Sequence, residues 1–352
     1  MGKNRIIRVI LATFLLVSTV SATCTNMVNY EITTGSKKGT YYQIGKNLAK
    51  YVAPESCINL KVLDSNGSMD NLKKLNSYSM PNLKFAIVQH DVFAELKRLA
   101  KNGDKDMKKL VGRLRVVKAL YDEEIHILAN ADSNITTFAD LKGKKISIGK
   151  VGSGTAMTSS LLYTELFGSD MTEDQAKFEK FGNALDSLDN KSVDAIITVA
   201  GQPVSKLAEF TENANNFIKL IRYDERGNQG DSTYYPTEIV SSSYTWLDSN
   251  VETLSTKAYL ITFNYKGGAK QHIKEFSRVL NEKIRNMQNN ATAANNTPHL
   301  KWKQVPLECD TRLPGGWEYY SATKEVCNGG SNSSPTPSRG CTPRNKALGR
   351  CQ

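Results

Sequence analysis

Two glycine-rich turns constrain this chain more than any other feature: Thr34-Gly35-Ser36-Lys37-Lys38-Gly39-Thr40-Tyr41-Tyr42 and Gly149-Lys150-Val151-Gly152-Ser153-Gly154-Thr155. They lie roughly a hundred residues apart, and each stands between a strand-like and a helix-like run. The first N–H groups of a helix have no intrahelical partner, and the helix dipole places partial positive charge on them. Each turn is therefore a place where an anion can sit. If the two strands belong to separate lobes, the turns face one another across a cleft and hold a small anionic molecule between them.

The rest of the sequence supports two lobes. Residues 30–34, 58–63 and 85–89 read as short strands, followed by helical stretches at 41–52, 68–77 and 91–102. In the first of these helices Tyr41, Ile44, Leu48 and Tyr51 share one face, which predicts packing on a sheet. This is the pattern of a parallel α/β lobe. After residues 114–121 a second set begins, with strands near 125–128, 145–148, 195–199 and 217–221. Its helix at 155–167 presents Met157, Leu161, Leu162 and Leu166 as the buried face, with Gly168 as its stop. Residues 253–263 form a long strand that returns to the first lobe, where the amphipathic stretch 269–287 packs. A chain of roughly 330 residues beyond a leader exceeds what one core holds. The division expected is 23–121 with 251–308 for one lobe and 122–250 for the other. From Cys309 the sequence turns to Pro, Gly and Ser with a basic end at Arg339, Arg344, Lys346 and Arg350. Residues 309–352 are expected to bury little apolar surface, as either a disulfide-stapled extension or a disordered tail.

Lys3, Arg5 and Arg8, the apolar residues 9–17 and the small-residue site Val20-Ser21-Ala22 read as an export signal over residues 1–22. The apolar stretch is about half the ~20 residues of a membrane span. Lipidation at Cys24 would want a small residue directly before it and usually Leu three before it, where Thr23 and Ser21 stand. Location in the periplasm follows. Cleavage removes three positive charges from the formal +11, leaving +8. No dense basic run with interleaved aromatics is present, so a nucleic-acid footprint is not indicated. The basic balance suits anionic solutes and equally a merely solvated surface. Six cysteines (Cys24, Cys57, Cys309, Cys327, Cys341, Cys351) lie beyond the leader, an even number that points to disulfides in an exported chain. There is no C-x-x-C pair, and His90, His126, His272 and His299 are scattered singly, so neither a metal site nor a cofactor is expected.

Catalytic motifs fail on spacing. Gly39 to Lys46 has five residues rather than four between its glycines, and Asn47 where a P-loop holds Ser or Thr. Gly152-Ser153-Gly154 lacks the spacing of a nucleophile elbow. The chain is read as a binding protein, not an enzyme.

The first turn resembles the opening T-G-G-T-G-G-T-Y-Y signature of the TAXI family, the solute-binding proteins of one branch of tripartite ATP-independent periplasmic (TRAP) transporters. Asn66-Gly67-Ser68 with Asn71, Phe85-Ala86-Ile87-Val88-Gln89 with Asp91, Asp140-Leu141-Lys142-Gly143, Gly152-Ser153-Gly154-Thr155, and Val193-Asp194-Ala195 leading to Gly201-Gln202-Pro203 follow in order. The resemblance covers roughly residues 28–290. It implies a type II periplasmic-binding fold, two α/β lobes joined by two crossovers with a ligand cleft between them. It also implies a monomeric receptor that closes on a small carboxylate, such as glutamate, a dicarboxylate or a 2-oxo acid, and delivers it to an ion-driven membrane permease. The implied ligand contacts are Thr34, Gly35, Ser36, Gly39, Thr40, Tyr41, Tyr42, Gly67, Ser68, Gln89 and Asp91 from one side. Gly152, Ser153, Gly154, Thr155, Gly201, Gln202 and Pro203 supply the other. Ser68 and Asp91 are open to a second reading as caps of their helices. Ser36, Lys37 and Lys38 replace small residues of the signature, and Gln43 stands where a proline is usual, which puts two ammonium groups either beside the cleft or in solvent. Rival readings are a receptor of an ATP-driven importer, an enzyme of pyrimidine or thiamine-precursor chemistry built on the same fold, and a sensor. In this fold the first two strands are parallel neighbours, so Cys24 and Cys57 at their starting ends are expected to form a bridge, with the other four pairing in sequence order.

Overall fold

A computed structural model describes residues 24, 26–223, 233–294, 296–309 and 311–329. Short apolar strands alternate with amphipathic helices over its first part: β1 (Val28–Thr33), α1 (Thr40–Tyr51), β2 (Ile58–Leu63), α2 (Ser68–Leu75), β3 (Leu83–Gln89) and α3 (His90–Lys101). On α1, Tyr41, Ile44 and Leu48 are buried against the sheet. β1 lies between β2 and β3 and parallel to both. Helix α4 (Lys105–Arg113), capped by the Asp104 side chain, leads into β4 (Leu114–Asn130). Then come β5 (Ile146–Ser147), α5 (Gly154–Phe167), β6 (Ala176–Lys177), α6 (Phe181–Asp189), β7 (Ala195–Ala200), α7 (Ser205–Ala208), β8 (Ile218–Leu220), β9 (Tyr235–Ile239), β10 (Val251–Phe263), α8 (Gly267–Asn289) and α9 (Ser321–Gly329).

The strand order is β2-β1-β3-β10-β4-β7-β5-β6, with β8 also on β4 and β9 also on β10. Strand β4 has seventeen residues, roughly 55 Å at about 3.3 Å per residue, more than one lobe can use. From Leu114 to Glu124 it pairs antiparallel with β10, and from Glu124 to Ala129 with β7. β10 divides the same way, pairing with β9 up to Ser255 and with β3 from Ala258. The two long strands are thus the connections between two α/β lobes. Two apolar clusters in one lobe draw on residues 30–121 and 258–322, and two in the other lobe draw on 125–254. Two lobes and two crossovers form the type II periplasmic-binding architecture that the resemblance implies.

Three local expectations need correction. The sequence reading ends one run at Tyr121 and starts the next strand near Ile125, whereas β4 is continuous through Asp122, Glu123 and Glu124. The strand runs on because each acid finds a partner: Lys257 for Asp122 at 2.6 Å, Tyr41 for Glu123 and Lys301 for Glu124. In α5 the deeply buried residues include Ala156, Thr158, Ser159, Leu162 and Tyr163, whereas Met157, Leu161 and Leu166 are only partly covered. That helix packs on its own sheet and also on α3 of the other lobe, so its polar face is buried too. Gly168 does end it, in the left-handed conformation.

The third correction concerns the segment after Cys309. It buries considerable apolar surface: Trp317 stacks on Phe93, Tyr320 and Ala322 enter the core, and Thr323 of α9 bonds Ser277 of α8 at 3.0 Å. Three aromatics within residues 317–320 fill space that the helices of the first lobe leave open, outweighing the polar composition around them. Disulfides join Cys24 to Cys57 and Cys309 to Cys327, with Cα separations of 5.3 and 5.5 Å, as expected. Cys341 and Cys351, and the export signal, lie outside the described residues.

The Cys24–Cys57 bridge sits at the starting edge of β2, away from the strand ends that carry the turns. Replacing both cysteines by serine is expected to lower unfolding stability by about 2–4 kcal/mol in urea titrations and to leave ligand affinity unchanged. A parallel loss of affinity would show that the bridge shapes the cleft.

Candidate functional site

In open parallel sheets the crevice for ligands lies outside the carboxyl ends of the strands. Here the ends of β1, β2 and β3 face those of β5 and β7 across the crossovers, enclosing a cavity of about 750 Å³. Besides the single turn α7, four helices of two or more turns begin on its wall. The capping positions of α1, α2 and α6 are Gly39, Gly67 and Lys180, none with a side-chain capping bond. In α5 the Ser153 hydroxyl accepts from Ala156 N–H, which leaves those of Gly154 and Thr155. First-turn N–H groups and the positive ends of four dipoles thus converge on one space. The sequence pointed to two of these termini.

The lobes are in contact around this space. Asp70 N–H donates to Gly152 O at 3.0 Å, and Lys150 Nζ donates to Asn66 Oδ1 at 2.7 Å. Gly67 has φ of 121° and abuts Gly154, where a Cβ would meet the Gly154 nitrogen at 3.3 Å. Gly154 is tighter: a Cβ there would fall 1.3 Å from Gln89 Oε1 and 2.9 Å from Ser68 Oγ. Only a residue without a side chain lets the start of α5 reach the end of β3.

Of the residues implied by the resemblance, Gly35, Ser36, Gly39, Thr40, Tyr41, Gly67, Ser68 and Gln89 line the cavity from one lobe. Ser153, Gly154 and Thr155 line it from the other. Lys37 and Lys38 are exposed at its rim. Ser68 is not the cap of α2, a place Gly67 takes; its hydroxyl accepts from Gln89 N–H at 3.1 Å and donates to Gln89 Oε1 at 3.3 Å.

The remaining implied residues stand elsewhere. Thr34 is buried, its hydroxyl donating to Leu63 O at 2.8 Å. Tyr42 is half-buried on α1, off the cavity lining, because its neighbour Tyr41 takes the inward face. Gly152 contributes its carbonyl to the contact with Asp70. Asp91 lies behind the wall and ties the lobes together, accepting from Thr158 Oγ1, Tyr234 Oη at 3.2 Å and Val92 N–H at 2.9 Å. Burial raises its pKa. Gln202 is spent on structure: its N–H donates to Glu124, its amide nitrogen to Glu238 O, and its amide oxygen accepts from Val240 N–H and Ser243. Pro203 follows in a cis peptide. Gly201 lies against the Lys301 stem, where a Cβ would meet Cε at 2.5 Å.

Several wall residues escaped the sequence reading. Ser147 is fully buried and Glu179 partly so, its side chain 11% exposed; among the described residues Ser147 Oγ and Glu179 Oε1 have no hydrogen-bond partner. Glu123 is 4% exposed and accepts from Tyr41 Oη at 2.6 Å. Lys74, Lys150, Lys180 and Lys206 join the two rim lysines, against Asp64, Asp70, Glu123 and Glu179. The lining therefore carries a cationic surplus. The one sequence signal for Glu123 was its place among three acids inside an apolar strand.

Behind the crossing, Glu124 meets Lys301 Nζ at 2.7 Å, with side chains 2% and 3% exposed. The ammonium also donates to Asp122 O and Gln304 Oε1. His126 next to it is buried neutral, its pKa pushed down to about 4 by burial, and bonds Tyr244 Oη at 2.8 Å. Among the described residues no group of three or more His, Cys, Asp or Glu is placed to hold a metal ion, and no helix is long and apolar enough to cross a membrane.

Residues 32–320 match the model of the NMT1-like family. The chain belongs to that family. Among solved structures it is similar to a Bordetella bronchiseptica RB50 protein at 16% identity, covering 92% of this chain and 89% of that one with a TM-score of 0.47. The arginine-, lysine-, histidine-binding protein ArtJ from Geobacillus stearothermophilus matches at 14% identity, with 73% and 91% covered and a TM-score of 0.42. The GluR0 ligand-binding core from Nostoc punctiforme, solved with L-glutamate, matches at 12% identity, with 73% and 93% covered and a TM-score of 0.43.

Two substitutions test this geometry. Gly154→Ala is expected to hold the lobes apart, weakening ligand binding by about 10- to 100-fold and abolishing the ligand-induced compaction seen by small-angle scattering, with little change in the ligand-free melting temperature. Lys301→Met leaves Glu124 buried and uncompensated and should cost about 3–5 kcal/mol in urea unfolding; adding Glu124→Gln should recover part of that.

Proposed function

We propose that this NMT1-like protein is an exported solute receptor that captures a small carboxylate by closing its lobes and performs no chemical step. The observation that carries this reading is the convergence of four helix N-termini on an interlobe cavity. A carboxylate there would accept from backbone N–H groups of both lobes in a site largely withdrawn from water, where charge-assisted bonds are strong. Ser147 Oγ, buried on the wall without a partner, supports a polar occupant. Because a ligand in this position touches both lobes, it favours the closed state over the open one and so makes occupancy visible to a partner. In our reading the protein works as a monomer in the periplasm and the partner is an ion-driven permease of the TRAP type; an ATP-driven importer would use the same closure. The neighbouring gene discriminates between them, since one route needs a long multi-span permease and the other an ATPase. Glutamate, a dicarboxylate or a 2-oxo acid fits the carboxylate requirement.

A thermal-shift screen is expected to show stabilisation by such carboxylates that grows with concentration, about 2.7 kcal/mol at a hundredfold excess over Kd. Stabilisation by sugars or cationic amines alone would refute the reading. Thr155→Ala removes a hydroxyl of the cavity wall that accepts from Val199 N–H at 3.2 Å. It is expected to weaken carboxylate binding by about 1–3 kcal/mol in calorimetric titration.

A further inference from the structure

Glu123 is an unusual group to find on the wall of a carboxylate site. It occupies the crossing of β4, one residue before Glu124, where the strand exchanges β10 for β7 as its partner. Successive strand residues point to opposite faces, so the two carboxyls have opposite surroundings. Glu124 faces away from the cavity and receives the Lys301 ammonium and the Gln202 N–H. Glu123 faces the cavity, and among the described residues its one hydrogen-bond donor is Tyr41 Oη, which reaches Oε2. Among the described residues it has no ion pair like that of its neighbour.

We propose that Glu123 is a specificity-determining residue of the cleft that acts as a neutral carboxylic acid, donating a hydrogen bond to an oxygen of the bound carboxylate. This rests on the reading of the cleft as a carboxylate site.

The surroundings of Glu123 favour the neutral form. Burial is the largest influence and raises its pKa to about 8. The Tyr41 bond lowers it, Asp91 on α3 raises it, Lys301 beyond the strand lowers it and Glu124 on the same strand raises it. Tyr41 and Tyr121 have pKa values raised by burial and remain neutral phenols. The cavity lysines, Lys150 nearest the lobe contact among them, face the same space from the turns and helix ends. A neutral carboxyl carries one O–H. With Tyr41 donating to one oxygen, that proton is available to the ligand. An anion in the cavity disfavours ionisation further, so binding and protonation support one another. The sign follows: the protonated form binds, so affinity is constant below about pH 8 and falls as pH rises past it.

The test is calorimetric titration of the full chain and Glu123→Gln with glutarate, which carries no group titrating near pH 8, and with L-glutamate, from pH 6.5 to 9.5 in buffers of different ionisation enthalpy. For the wild type, glutarate affinity should fall by about fivefold from pH 8 to pH 9 and more steeply beyond, with net proton uptake of about three quarters of a proton per ligand at pH 8.5, approaching one at pH 9.5. Glu123→Gln, whose amide still donates, should bind glutarate within about threefold of the wild type at pH 7 and lose both the proton uptake and the alkaline fall. A flat wild-type profile with tight binding would overturn the proposal and leave the carboxylate reading standing. Proton release on binding L-glutamate, with Glu123→Gln losing L-glutamate but not glutarate, would overturn it in favour of an ionised Glu123 paired with an ammonium. Failure of every carboxylate at every pH would remove both readings. Lys150→Gln separates the other proton acceptor of the cavity, whose pKa burial lowers: it should keep the uptake and the alkaline fall, and their loss there would overturn the proposal even if Glu123→Gln does not fold.

Discussion

Consecutive acids on opposite faces of one strand organise the centre of this molecule. At the point where β4 leaves one lobe for the other, Glu124 is turned toward Lys301 and Glu123 toward the cleft. The Glu124–Lys301 pair is almost wholly withdrawn from water, and desolvating two charges offsets much of their attraction. The pair's effect is therefore on position more than on net stability. It fixes the 3-10 turn Leu300–Gln304 against the crossing, and that turn carries the buried Trp302 into the core of the first lobe. It holds Gln202 through the same carboxylate and brings the lysine stem against Gly201. Gly201 and Gln202, which look like ligand contacts in the sequence, are thereby engaged at the strand crossing.

The cleft combines features that act only together. Four helix ends supply fixed partial charge without the entropic cost of ordering long side chains. The approach of Gly154 to Gln89 and Ser68, the Asp70–Gly152 bond and the Asp91–Thr158 contact hold the lobes at the separation that makes those ends converge. In a more open arrangement the same N–H groups would face water and lose most of their selectivity. In the proposed receptor, recognition and closure are therefore one event, coupled by a ligand that spans the gap.

The segment after Cys309 shows how a short polar stretch becomes part of a core. The Cys309–Cys327 bridge closes a loop that carries Trp317, Tyr319 and Tyr320 into the first lobe. Trp317 Nε1 donates to His90 Nδ1 at 3.0 Å, and Lys97 Nζ donates to the carbonyls of Gly315 and Gly316. Further back, Lys118 of β4 is buried with its ammonium on Asn281 Oδ1 and Glu308 O. These bonds satisfy polar groups that the aromatic side chains would otherwise strand away from water.

Local chemistry made much of this legible from the sequence. The periods of 2 and 3.6, the glycines at the turns and the alternation of strands with helices specified two α/β lobes and the β1–α1 and α5 turns, because each of these depends on residues close in the chain; the Cys24–Cys57 neighbourhood followed from the parallel strand order of the fold that the resemblance implies. Tertiary structure decided the rest. That β4 continues through three acids depended on Lys257, Tyr41 and Lys301, partners far away in sequence. That Tyr41 rather than Tyr42 faces the cleft, that Gln202 and Asp91 serve the frame rather than the cavity wall, and that Glu123 and Ser147 stand on that wall, are consequences of how two lobes meet. A side chain's environment is set by what packs across from it, and across this cleft the opposing surface comes from about a hundred residues away or more.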